Sequence, residues 1–189
     1  GVGYNVAMGF YAGAAMTTGI NSVLVGGLAG DALTTGTNNV ALGYSALSTE
    51  NTGSSNVAIG SHALEDLNYN GSGYNTAVGH AAGRNVTTGV QNTIIGGLAG
   101  DALTTGNYNV AVGASSLSTT LVASNNTAIG YGSLNVNVHG HKNTAVGMNT
   151  LGAMAPAGSS DSHNTAIGYS SQVSATTGEF NTSLGSLSM

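Results

Sequence analysis

The pentapeptide NVAIG at residues 56–60 decides how this chain is read. Variants of it return along the whole sequence, each closed by a glycine: Gly9, Gly26, Gly43, Gly60, Gly79, Gly96, Gly113, Gly130, Gly147, Gly168 and Gly185. Their spacings are 17, 17, 17, 19, 17, 17, 17, 17, 21 and 17 residues. A fixed short period marks a repeat architecture, in which one unit cannot bury its apolar face alone and needs its neighbours. The spacing predicts about eleven coils of 17 residues, two of them lengthened, in one repetitive segment over residues 1–189. The stretch GGLAGDALTTG, found at 26–36 and again at 96–106, fits the same frame. Its copies lie four coils apart at equivalent positions, so they are repeated architecture and not paired active sites.

We number each unit from the first residue of its pentad. Position 1 is Asn in ten coils: Asn5, Asn39, Asn56, Asn75, Asn92, Asn109, Asn126, Asn143, Asn164 and Asn181; Ser22 is the exception. Position 2 is Val or Thr, position 3 mostly Ala, and position 5 Gly. Position 4 is a large apolar residue throughout: Met8, Val25, Leu42, Ile59, Val78, Ile95, Val112, Ile129, Val146, Ile167 and Leu184. β-Branched residues in alternation indicate a strand, and a helix would need a 3.6-residue period with fewer Gly, Asn and Thr.

Strand alternation puts positions 2 and 4 on one face. The same reading extends that face to the residues before the Asn (Tyr4, Tyr74, Tyr108, Phe180) and to position 6 (Phe10, Tyr44, Tyr131, Tyr169). The opposite face carries Asn, Ala and Gly and is small. A second, weaker strand is expected after the pentad, as in YSAL at 44–47, followed by a TTG-type turn. Stacked coils would align position 4 as a continuous core row and position 1 as a ladder of side-chain amides. Coils at ~4.8 Å per step make a rod roughly 50 Å long. So thin a roll cannot enclose both strand faces. Whichever face stays outside needs another layer, most simply an identical chain, and a uniform rod favours cyclic symmetry about its axis. The expectation is an all-β, parallel β-roll or β-solenoid assembled as a homotrimeric fibre.

Composition narrows the function. Charged residues make up 5% of the chain, and Arg84 and Lys142 are the only cations apart from histidine. Nucleic-acid binding needs clustered Lys and Arg to displace counterions, so it is excluded. There is no cysteine, which removes disulfides and thiol chemistry. No apolar run approaches the ~20 residues of a membrane span. The chain opens and closes inside a repeat without polar capping units, which points to a segment of a longer fibre.

Nothing marks an enzyme. Asp31 and Asp101 share one repeat position and read as copies of a turn feature. Glu65 and Asp66 are adjacent and would face opposite sides of a strand. There is no P-loop and no nucleophile elbow. No cofactor is expected. VHGHK at 138–142 places His139 and His141 on one side of an extended segment. About a three-fold axis they would supply six imidazoles, a set suited to a first-row metal; the plainer reading is an exposed turn.

The pentads NTAIG at 126–130 and 164–168 and NTAVG at 75–79 and 143–147, with the longer NVALGYSAL at 39–47 and NTAIGYGSL at 126–134, carry a resemblance. They resemble the head repeats of trimeric autotransporter adhesins and, more closely, the repeat arrays of phage tail fibres. The resemblance covers the whole chain. It implies a left-handed parallel β-roll, three chains per fibre, exposed on a virion or a bacterial cell surface. The implied role is a structural and adhesive tail-fibre or appendage segment that projects a host-receptor-binding tip, with a trimeric bacterial surface adhesin as the near variant. Expected partners are identical chains, other fibre or virion proteins, and a host-surface glycan or receptor.

Insertions in a solenoid map to loops on one face, often the binding face. The lengthened coils fall at 68–74 and 155–163, and Tyr69, Tyr74, Pro156 and Asp161 are the candidate contact residues there. Tolerated length variation is the simpler reading. A third class is an ice-binding solenoid, invited by the TTG turns and the Thr at position 2. It requires a flat, uninterrupted Thr array, whereas position 2 switches irregularly between Val and Thr.

Overall fold

The computed structural model describes residues 3–154, 156 and 158–189, and among them there is no helix. Eleven three-residue strands occupy positions 2–4 of the eleven coils. They are β1 (Val6–Met8), β2 (Val23–Val25), β3 (Val40–Leu42), β4 (Val57–Ile59), β5 (Thr76–Val78), β6 (Thr93–Ile95), β7 (Val110–Val112), β8 (Thr127–Ile129), β10 (Thr144–Val146), β12 (Thr165–Ile167) and β13 (Thr182–Leu184). They pair in parallel, in sequence order, as one sheet. Two shorter strands, β9 (Gly140–His141) and β11 (Ser160–Asp161), pair beside it. The register is unbroken: position 2 stacks on position 2 even across the lengthened coils, as in Val57 against Thr76 and Thr144 against Thr165. This is a parallel β-solenoid with one 17-residue turn as its unit.

Backbone geometry limits each strand to three residues. The residue before position 1 has positive φ in ten coils, from Asn21 to Phe180. At the other end the position-5 glycines have φ between +124° and +138°, where L side chains are rarely found. A Cβ on Gly96 would also sit 2.6 Å from the carbonyl carbon of Gly113 in the next coil. Tyr74, Tyr108 and Phe180 are therefore left-handed turn residues and not strand continuations, although all three are exposed.

The second strand expected after the pentad does not form. Positions 7 and 9 both take positive φ, for example Ser45 at 51° and Leu47 at 54°. The segment zigzags while still bonding to both neighbours. The Leu28 N–H donates back to Phe10 O at 2.8 Å, and the Gly30 N–H donates forward to Ala46 O at 2.9 Å. Two consecutive side chains, Ala46 and Leu47, consequently turn inward, which a pleated strand forbids.

Within the chain the small face is the inside. Position 3 is fully buried from Leu24 to Ala166, and Leu47, Leu64, Leu117, Leu134 and Leu151 at position 9 fill the space opposite. The row of Met8, Val25, Leu42, Ile59, Val78, Ile95, Val112, Ile129, Val146, Ile167 and Leu184 is continuous, but it lies on the outer face. Met8, Leu42, Ile95, Ile129, Ile167 and Leu184 are exposed and the other five half-buried. A roll this thin accepts Ala and Asn from its strand and large residues only from the opposite wall.

Coils two and six invert that rule and explain the duplicated stretch. Position 3 is large there (Leu24, Ile94), and position 9 is Gly in that coil and in the one before it. A Cβ on Gly30 would come within 2.8 Å of Leu24, and one on Gly83 within 2.8 Å of Ile94. The branched side chain fills the room that two absent leucines leave.

Candidate functional site

Three features outside the apolar core form the candidate site: the amide ladder, the outer strand face and the lengthened turns. The ladder carries the stacking. Each Asn Oδ1 accepts the N–H of position 1 in the next coil, at 2.9–3.2 Å from Asn5 through Asn164. The Nδ2 of Asn5, Asn39, Asn75, Asn92, Asn109, Asn126 and Asn164 donates to the position-15 carbonyl of its own coil at 2.7–3.0 Å. Ser22 keeps the chain of bonds through its hydroxyl, which accepts the Asn39 N–H at 3.2 Å. Asn39 through Asn164 are buried in this row; Asn5 and Asn181, in the end coils, are half-buried. An Asn here satisfies the buried backbone of two coils with one side chain.

The outer face combines the aliphatic row of position 4, Val or Thr at position 2, and aromatics flanking them. Phe10, Tyr44, Tyr131 and Tyr169 at position 6 are 74%, 53%, 59% and 47% exposed. No charged side chain lies at positions 2, 4 or 6 of any coil. A ladder of rows in strict register, with an aliphatic column beside Val or Thr and without Asp, Glu, Lys or Arg, thus stands exposed or half-buried on the single chain. Exposed apolar patches of this continuity mark interaction surfaces.

Charge collects elsewhere. On coils four and five Arg84 Nε donates to Glu65 Oε2 at 2.9 Å, and His62 Nδ1 lies 3.0 Å from the same oxygen without hydrogen-bond alignment. Tyr44, His62 and His80 line up edge to face beside them. Burial pushes the Asp101 carboxyl above its usual range. Glu50 is fully buried. Burial raises its carboxyl too, against the lowering effect of N–H groups from Tyr69, Gly53, Asn51 and Thr52. The one sequence signal for Glu50's burial is its place at position 12, where Leu33, Leu67 and Leu103 sit in other coils.

The lengthened turns do not present all their candidate residues. Tyr74 and Asp161 are exposed, whereas Tyr69 packs partly against the core and Pro156 is buried. Ala155 and Ala157, inside the second insertion, lie outside the described residues. Lys142 Nζ donates to Asp161 Oδ2 at 2.6 Å and holds that carboxyl below its usual range. His141 uses both ring nitrogens: Nδ1 accepts the Ser124 N–H at 3.0 Å and Nε2 meets Ser159 Oγ at 2.9 Å. Among the described residues no three His, Asp or Glu side chains gather as a metal site would require. No helix among them is long and apolar enough to cross a membrane.

No protein-family model, no curated protein and no solved structure matches this chain.

Proposed function

We propose that this chain is a structural and adhesive fibre segment, a tail-fibre or appendage shaft at a virion surface that holds a receptor-binding tip away from the particle. Three identical chains pack their uncharged outer strand faces around a common axis. The observation that carries this reading is the uncovered apolar face, which repeats in register over all eleven coils. A strip roughly 50 Å long and 10–15 Å wide offers on the order of 600 Å² per chain, near the ~800 Å² per partner of a stable interface. The role is mechanical and multivalent: three chains present each surface turn in triplicate, and avidity multiplies weak contacts with a host glycan or receptor. A trimeric bacterial surface adhesin uses the same architecture.

The solution mass tests the reading. Light scattering that gives three times 18.4 kDa supports it, and a monodisperse monomer refutes it. One observation favours a second reading, an ice-binding solenoid. Thr76, Thr93, Thr127, Thr144, Thr165 and Thr182 occupy outward position 2, each two residues before an aliphatic position 4. A monomer that inhibits ice recrystallisation would establish that class.

A further inference from the structure

The two lengthened coils have something in common that their own sequences do not show. In regular stacking the turn of one coil bonds to the turn of the next. The position-13 N–H of Thr17, Thr34, Thr87 and Thr104 donates to the position-13 carbonyl of the next coil at 2.8–2.9 Å, and in two coils the position-15 N–H joins it, Gly19 to Thr34 O at 3.2 Å and Gly89 to Thr104 O at 3.3 Å. A lengthened coil moves its turn out of that register. Its own ladder shows the displacement in the first long coil: Asn56 opens it, and its Nδ2 donates to Ser54 O of the coil before at 3.2 Å and not to the position-15 carbonyl of its own coil.

The coil before each insertion carries a buried polar residue at position 12. Before the first it is Glu50, whose Oε1 accepts the N–H of Asn51 at 3.0 Å and of Gly53 at 2.8 Å. Its Oε2 accepts the N–H of Tyr69, in the lengthened turn, at 3.2 Å. Before the second insertion it is Asn137, whose Oδ1 accepts the Gly140 N–H at 2.9 Å while its Nδ2 donates to Gly140 O at 2.8 Å. In both coils the side chain takes the position-15 N–H. The glycine there makes room, since a Cβ on Gly140 would stand 2.5 Å from Asn137 Oδ1. Thr120 serves as an internal comparison. It is buried at position 12 but precedes a coil of normal length, and its hydroxyl bonds nothing.

We propose that Glu50 is the positioning residue for the first lengthened turn: it replaces, from inside the roll, the turn-to-turn hydrogen bonds that the longer coil withdraws. Asn137 bonds only within its own turn, whereas the Glu50 carboxylate grips the turn below and the turn above together. Tyr69 is thereby held against the core and the chain 70–74 is presented in one conformation. These contacts lie within one chain and are the same in a trimer or a monomer.

Hydrogen exchange of the full-length chain tests it, read by mass spectrometry over peptides covering 49–55, 66–72 and, as a reference, 109–117. Glu50→Leu restores the apolar column, so a purely space-filling role predicts unchanged or slower exchange. The brace predicts at least tenfold faster exchange over 49–55 and 66–72 and no change at 109–117. Deleting Gly71 and Ser72 in the same variant returns the coil to 17 residues and is expected to restore slow exchange. Should Glu50→Leu fail to fold, Glu50→Gln is read instead. It keeps an acceptor for Gly53 and loses the one for Tyr69, so 66–72 accelerates while 49–55 holds. Unchanged exchange in the variant that folds overturns the proposal, and so does acceleration that the shortened coil does not reverse.

Discussion

The inversion at coils two and six gives the sharpest prediction about the core. Replacing Ile94 by Ala removes a fully buried branched side chain. The walls cannot close the gap, because Gly83 and Gly100 beside it have no side chains to move in. The cost is therefore toward the middle of the range for such truncations, about 3–4 kcal/mol. Replacing Gly83 by Leu alone puts a Cβ 2.8 Å from Ile94 Cδ1 and 3.1 Å from Leu64 Cδ2. Overpacking of that kind costs about 1–3 kcal/mol, and a non-glycine residue at φ +58° adds roughly 1 kcal/mol. The double variant recreates the sequence relation of Leu117 to Ala128, a buried position-9 leucine followed by a buried position-3 alanine in the next coil. Each change then relieves the other, and the pair should cost at least ~2 kcal/mol less than the sum of the singles, well beyond the ~0.5 kcal/mol scatter of independent sites. Thermal and urea unfolding followed by circular dichroism, at one fixed protein concentration, measures the cycle. Additive effects would refute the idea that the two positions share one volume.

Three further outcomes follow from particular atoms. Gly96→Ala meets both a strained φ and the backbone of Gly113, whereas a Cβ on neighbouring Gly97 meets nothing within 4 Å; the first should lower the melting temperature sharply and the second hardly move it. Asn109→Ala leaves the Asn126 N–H and the Ala123 carbonyl buried without partners, at about 1–3 kcal/mol for each orphaned group, while a matching change at half-buried Asn181, in the last coil, costs less. For pH the sign follows from burial. Glu50 is raised above 4.5, so its contribution to stability is full below that value and is lost as pH rises through the higher folded value. The melting temperature should therefore climb on acidification from neutral toward pH ~5. Glu50→Gln should flatten that climb and leave the part due to Asp101, whose carboxyl burial also raises.

The period, strand positions, parallel stacking and Asn ladder were legible in the sequence because each repeats in every coil. An Asn that recurs every 17 residues can only stack on itself, and Gly at position 5 marks the turn that ends every strand. The side of the sheet that faces inward was not legible, since alternation separates two faces without assigning them. The diameter of the roll assigns them: with leucines entering from positions 9 and 12, only Ala and Asn fit from the strand. The second strand was misread because left-handed residues at positions 7 and 9 include Leu, Ser and His, which carry no glycine signal; stacking between coils holds them there. The burial of Glu50 was not anticipated for the same reason, since it depends on the coils above and below. What the sequence determined by itself is the repeat, whose constraint is local and renewed every turn. What only the tertiary structure decided is inside against outside and the inward aim of single side chains, because these depend on the space left by non-neighbouring coils.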